Sequence, residues 1–190
     1  MLTHEARLGS ILLGSEWFVT VLEAVRESDP HDWLVGAGVI RNQVWDHLHG
    51  YATPTPVRDV DVAYFDPADL SRERDERLEA DLRVRLSDVA WNVTNQAGVH
   101  LWYERKFGHG AEPVSSIEDG VARWPETATA VGVALLPDGS LRVVAPFGLD
   151  DLFGLVLRRN PRQVTAEYFR ERVESKEIRA RWPRVTVVGG

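Results

Sequence analysis

Two aspartates one residue apart, Asp59 and Asp61, sit in the alternating run Val57-Arg58-Asp59-Val60-Asp61-Val62. On an extended strand this spacing turns both carboxylates to one face and Val60 and Val62 to the other. Like charges held side by side are unfavourable unless a cation neutralises them, and oxygen-only donors favour Mg2+ or Mn2+ over zinc. The plainer alternative is a solvent-facing edge strand that binds nothing. One helix upstream lies Gly36-Ala37-Gly38, between the short apolar run ending at Val35 and a helically spaced segment from Val39 to His49. Glycines there allow close backbone approach, and the start of a helix offers unpaired N–H groups to an anion. Arg41 and Asn42, in the first turn of that helix, either add donors to a phosphate or simply face water. Together the two motifs place a metal site beside a phosphate cradle, with Asp59 and Asp61 as metal ligands and Gly36, Ala37 and Gly38 as the cradle.

The elements that must position them read as an alternation of helices and strands. His4 to Glu27 has apolar residues at helical spacing with a break near Gly14, and Trp17 and Phe18 read as core. Trp33 to Val35 is a buried strand, Thr53-Pro54-Thr55-Pro56 a stiff connector, and Val57 to Phe65 the strand that carries the aspartates. Further on, Ser71 to Leu86 reads as a solvated charged helix, Val89 to Thr94 as a third strand and Val99 to Phe107 as a short helix. Ser115 to Trp124 is a helix capped by Ser115 or Ser116. Thr127 to Leu136 and Leu141 to Ala145 form a hairpin around Pro137-Asp138-Gly139-Ser140. Leu149 to Leu157 is a helix passing into a strand, with Asp150 and Asp151 as helix-start residues. Thr165 to Arg179 is a charged helix and Val185 to Val188 a last strand or tail. The fold class is α+β, a mixed sheet flanked by helices. A single domain is expected over 1–190, its core over about 30–155 and a C-terminal helix and tail over 160–190.

Composition narrows the chemistry. The chain has no cysteine, which excludes disulfides, thiolate metal sites and a cysteine nucleophile. No basic leader and no apolar run near the roughly 18 residues of a membrane span is present, so a cytoplasmic protein without a membrane partner is expected. A net charge of −7 argues against extended nucleic-acid binding, while a small anionic substrate stays compatible with a local metal and a few arginines. Arginine supplies nearly all the positive charge; lysine occurs only at Lys106 and Lys176.

A glycine turn opening a helix, followed by an acid-x-acid strand, resembles the nucleotidyltransferase superfamily related to DNA polymerase β. The blocks Gly36 to Asp46, Asp59 to Val62, Asn95-Gln96-Ala97 with His100, Trp124-Pro125-Glu126-Thr127 and Ala145 to Asp151 narrow the likeness to a bacterial family of nucleotidyltransferase proteins once classed as a domain of unknown function. The resemblance implies a polymerase β-like fold and transfer of a nucleoside monophosphate from an NTP to a hydroxyl acceptor, releasing pyrophosphate. Asp59 and Asp61 would be the catalytic metal ligands for Mg2+ or Mn2+, and Gly36, Ala37, Gly38, Arg41 and Asn42 the triphosphate contacts. Two departures set the alternative, a nucleotide-binding module without turnover. Ala37 stands where many members carry serine, and the third acid is replaced by Asp88 just before the third strand or by Asn92 within it.

Overall fold

A computed structural model describes residues 2–162 and 164–190. Among them no single helix is long and apolar enough to cross a membrane. Helices α1 (His4–Leu13) and α2 (Glu16–Glu27) meet at 93°, at the break around Gly14. Each is capped by a hydroxyl, Thr3 accepting from the Ala6 N–H and Ser15 from the Phe18 N–H. Phe18 is fully buried, whereas Trp17 is 44% exposed: neighbours along a helix lie about 100° apart, and only one of the two can face the sheet.

Strand β1 (Trp33–Gly36) leads into α3 (Gly38–His49), which ends at left-handed Gly50. Strand β2 (Val60–Tyr64) returns antiparallel to β1, pairing Gly36 with Asp61 and Leu34 with Ala63. Helix α4 (Arg72–Arg85) then crosses over to β3 (Trp91–Asn95), parallel to β2. A 3-10 turn (Gln96–Gly98), α5 (His100–Phe107) and the short α6 (Ile117–Val121, capped by Ser116) precede the hairpin of β4 (Gly132–Leu135) and β5 (Leu141–Val144). The sheet order is β3-β2-β1-β4-β5, a mixed five-stranded sheet. Helix α7 (Asp150–Phe153) leads to β6 (Val156–Arg158), which pairs in parallel with β7 (Thr186–Val188) in a separate two-stranded sheet. Between them lie α8 (Ala166–Ser175) and α9 (Ile178–Arg181).

Four elements depart from the sequence reading. Strand β2 begins at Val60, because ladder partners exist only from there: Val60 pairs Trp91 on one side and Asp61 pairs Gly36 on the other. Asp59 therefore lies on the approach to the strand, exposed, rather than inside it. Residues 127–131 do not extend β4; Thr129 and Ala130 donate their N–H groups to the Glu126 carbonyl and form a turn. The helix expected from Ser115 to Trp124 is one regular stretch of five residues, α6, followed by turns. The last charged helix is split into α8 and α9 at Glu177, whose φ of 52° is left-handed.

The main core lies on one sheet face, where Val35, Val60, Val62, Tyr64, Trp91 and Val93 meet apolar residues of α1 to α4. Because side chains alternate, Leu34, Gly36, Asp61, Ala63, Asn92 and Thr94 turn to the other face. A smaller cluster of Leu34, Ile117, Val121, Ala130, Ala134 and Val144 covers part of that face. The remainder is the floor of a cleft.

Candidate active site

The cleft has a volume of about 280 Å³. Its floor is Asp61, Ala63, Asn92 and Thr94, and the first turn of α3 enters it through Ala37, Gly38 and Arg41. One wall is α5; another is α8, which sends Tyr168, Arg172 and Lys176 into the cleft from positions four residues apart, one face of a helix. Although the chain is acidic, five cationic side chains line this space (Arg41, Lys106, Arg123, Arg172, Lys176) against two carboxylates, Asp61 and Glu112. Both lysines of the chain are among them.

The glycine turn is shaped by packing as much as by any ligand. A Cβ on Gly36 would stand 2.5 Å from the Trp124 ring and 3.0 Å from the Val131 carbonyl. Gly38 has open space, with only the Arg41 guanidinium within 3.9 Å. Between them Ala37 holds φ 60°, ψ −120°, a conformation that costs an L residue roughly 1–3 kcal/mol. Its N–H donates to the Val131 carbonyl at 3.0 Å, and its carbonyl accepts the first helical bond, from Arg41. The Ala37 N–H is thus already committed, and the groups preceding the first helical bond are those of Gly38, Val39 and Ile40. No acid lies in that turn itself, and the positive end of the α3 dipole faces the cleft.

Arg41 is 4% exposed. Its guanidinium lies over the Trp45 and Trp182 rings, 5.4 and 5.2 Å from their centroids, and donates one bond to the Asn42 carboxamide oxygen at 2.8 Å. Its Nε is buried with no hydrogen-bond partner among the described residues. Burial lowers its pKa to about 10, partly offset by Glu126. Trp182 is held by Asp46, which accepts from its indole N–H and from Thr55, tying the proline-rich connector and the C-terminal segment to α3.

Glu126, 1% exposed, is the buried counter-ion of the cationic wall. It pairs with Arg172 at 2.7 Å and accepts from the Thr129 hydroxyl at 2.6 Å. Burial works to raise its pKa, but Arg172, Thr129 and Arg41 outweigh that and hold it below the usual glutamate value. For Arg172, burial is likewise overcome by Glu126, and its pKa rises. Lys176 makes no ion pair among the described residues: burial, then Arg172 and Arg41, lower its pKa, against the smaller pull of Glu126 and Asp59. In the sequence Glu126 stands only within a block that carries the resemblance, and neither Arg172 nor Lys176 stands out; the four-residue spacing of Tyr168, Arg172 and Lys176 is the signal that marks them.

Asp61 accepts a bond from the Asn92 carboxamide N–H at 2.6 Å, its cross-strand neighbour. Its other oxygen makes no hydrogen bond among the described residues. Burial raises its pKa, opposed by the Asn92 bond and reinforced by the charge of Asp59. Asp59 lines a smaller adjoining cavity of about 30 Å³, and Gly38, Arg41 and Lys176 line both spaces. The structure therefore brings Asp61, Gly38, Arg41 and Asn92 into the cleft and places Asp59 in the adjoining cavity, which shares Gly38, Arg41 and Lys176 with it. Asp88 is exposed, accepts a bond from the Ser87 hydroxyl, and precedes the pairing region of β3.

The other candidates are fixtures. Asn95 and Gln96 hold the loop after β3: Asn95 binds the backbone of Asp66, Asp69 and Ala97, and Gln96 accepts from the Trp124 indole. Asp151, in the first turn of α7, is tied to Arg158 and Thr127, and Asp150 to His4. His100 lines the cleft, and its Nδ1 is buried without a hydrogen-bond partner among the described residues.

Among the described residues no group of three or more His, Cys, Asp or Glu side chains could hold a metal. Asp59 and Asp61 are the carboxylates that would hold Mg2+, which takes one or two carboxylates and fills its octahedron with water and phosphate oxygens, whereas Asn92 turns its amide N–H to Asp61.

The same architecture is found in solved proteins. An NMR structure described as revealing a CCA-adding enzyme head domain superposes with a TM-score of 0.80 at 24% identity, over 98% of this chain and 97% of that one. A complex of a CCA-adding enzyme with CTP gives 0.56 at 12% identity, over 96% of this chain and 43% of the other, so the chain spans less than half of that enzyme. No curated protein matches. Residues 23–187, a span that contains the glycine turn, the Asp59 to Asp61 segment and the five-stranded sheet, match the family described as nucleotidyltransferase; the chain belongs to that family.

Proposed function

We propose that this protein transfers a nucleoside monophosphate from an NTP to a hydroxyl acceptor in a reaction dependent on Mg2+ or Mn2+. The observation that carries this reading is the wall of Arg41, Arg172 and Lys176 beside Asp61 at the α3 N-terminus, an excess of positive charge, buried at Arg41 and half-buried at Arg172 and Lys176, with Glu126 as its counter-ion. A cluster of this kind is costly until an anion enters it. The triphosphate would lie along the first turn of α3, with Arg41, Arg172 and Lys176 taking up the charge that develops on departing pyrophosphate. A divalent cation, held by Asp59 and Asp61, would neutralise the phosphate oxygens in contact with it. The acceptor oxygen forms its bond to the α-phosphorus as the bond to the bridging α,β-oxygen breaks. Asn92, an amide, cannot take the acceptor proton, which leaves to water. CTP in the related complex is consistent with an NTP as donor.

One observation favours a second reading, binding without turnover: the Asn92 amide sits on Asp61 where a third carboxylate would complete the set. Pyrophosphate release from each NTP with Mg2+ or Mn2+ separates the two. The transfer reading expects release that falls at least about a hundredfold in Asp61→Asn and in Asp59→Asn. Metal-dependent NTP binding without release, across a panel of hydroxyl acceptors, supports the binding module. Absence of NTP binding sinks both.

A further inference from the structure

A buried arginine is ordinarily paired with a carboxylate, and Arg41 is not. Glu126 is taken by Arg172, and among the described residues Arg41 makes no ion pair and a single hydrogen bond, to Asn42. Two aromatic rings stand in the carboxylate's place. The guanidinium carbon lies 5.4 Å from the Trp45 centroid and 5.2 Å from that of Trp182, and the two rings meet edge-on at 5.4 Å. Each ring is anchored through its indole N–H, Trp45 to the Leu152 carbonyl at 2.9 Å and Trp182 to Asp46 at 2.7 Å. A ring attracts a cation through its quadrupole without cancelling the charge, so Arg41 stays fixed and charged where it lines both cavities.

Trp182 comes from the segment after α9, 136 residues beyond Asp46. Further bonds clip this segment to the end of α3: the Tyr51 hydroxyl donates to the Arg181 carbonyl at 2.7 Å, the Arg184 N–H to His49 Nε2 at 3.3 Å, and the Arg184 guanidinium to the Leu48 carbonyl at 2.6 Å. Asp46 also takes the N–H and hydroxyl of Thr55, so one buried carboxylate fixes both the proline-rich connector and Trp182. Burial alone would be served by any apolar side chain; a ring beside the guanidinium and a donor on Asp46 together call for tryptophan. We propose that Trp182 is a positioning residue of the triphosphate site: anchored by Asp46, it holds the Arg41 guanidinium at the border of the two cavities, so that the C-terminal segment completes the cationic end of the cleft. This rests on that end receiving the triphosphate.

The test is a double-mutant cycle on the affinity of the full chain for inorganic tripolyphosphate, read by calorimetry at salt low enough that Arg172 and Lys176 still hold the anion when Arg41 is replaced. Trp182→Leu should weaken binding roughly tenfold, and Trp182→Phe, which keeps a ring but loses the indole donor, roughly threefold. In the Arg41→Ala background both effects should vanish, whereas the loss of stability in urea that accompanies Trp182→Leu should remain. That split separates positioning from packing. Unchanged affinity in Trp182→Leu, or an equal loss with and without Arg41, overturns the proposal while leaving the triphosphate site standing. Should Trp182→Leu not fold, the Trp182→Phe cycle decides by the same criterion. Failure of the wild type to bind tripolyphosphate removes the triphosphate site itself, and the role of Trp182 with it.

Discussion

Helices α4 and α8 look alike as sequences and behave oppositely in the fold. Both are dense in Arg and Glu, RERDERLEADLRVR in one and AEYFRERVES in the other. Helix α4 keeps its charges mostly at the surface, in pairs within the helix and in bridges to Glu27, Asp66 and Asp69. Its Arg72–Glu76 pair, at 2.9 Å, has side chains 84% and 61% exposed, and Leu82 is the one fully buried residue. Helix α8 buries Phe169 and Val173 and thereby turns Tyr168, Arg172 and Lys176 into the cleft. There Arg172 and Glu126 pair at 2.7 Å with side chains 23% and 2% exposed. A charged residue is worth what its surroundings leave it: water screens the first pair, whereas the second has had its hydration replaced by a partner 46 residues away.

Glu126→Gln tests this contrast most severely. It leaves Arg172 and Arg41 buried around a neutral amide, and a loss of about 3 kcal/mol is expected from urea unfolding. The double change Glu126→Leu with Arg172→Leu should recover much of that stability, since an ion pair replaced by apolar side chains of similar bulk is often tolerated. NTP binding should not recover with it, because Arg172 also faces the cleft.

Acid should reproduce the Glu126→Gln effect without a mutation. The folded-state pKa of Glu126 lies below its ordinary value of 4.5, so its contribution is present above pH 4.5 and is lost as pH falls through the folded value. The stability difference between wild type and Glu126→Gln should therefore be full at pH 7 and shrink progressively below pH 4.5. A difference that stays constant down to pH 3 would show that Glu126 is not held ionised by Arg172.

The same contrast explains how far the sequence could be read. Local signals were sufficient for the strand before Gly36, the helix ending at Gly50, the Pro137 to Ser140 hairpin turn and the orientation of Asp61 opposite Val60 and Val62. Each depends on residues within a few positions. Asp59 slipped off the strand because pairing starts only where β1 and β3 supply partners, and the Ala37 N–H is committed to Val131, nearly a hundred residues on. The cationic wall was illegible for the same reason. Nothing within α8 says that Glu126 awaits Arg172, and charge at helical spacing reads as a solvated face unless the apolar pair Phe169 and Val173 is used to orient it.

On α4 the expected effect is near the floor of measurement. Glu76→Gln removes an exposed pair at i,i+4. A loss of about 0.3–0.5 kcal/mol at most is expected at low salt, fading as added salt screens the pair. Beside Glu126→Gln in the same urea series this becomes a discriminating control. The α4 substitution should lose its effect in 1 M salt while the α8 partner keeps most of its own, because counter-ions reach Glu76 and do not reach Glu126. If both lose the same fraction, the Glu126–Arg172 pair is as hydrated as a surface pair, and the cleft wall does not store the positive charge on which the proposed triphosphate binding there depends.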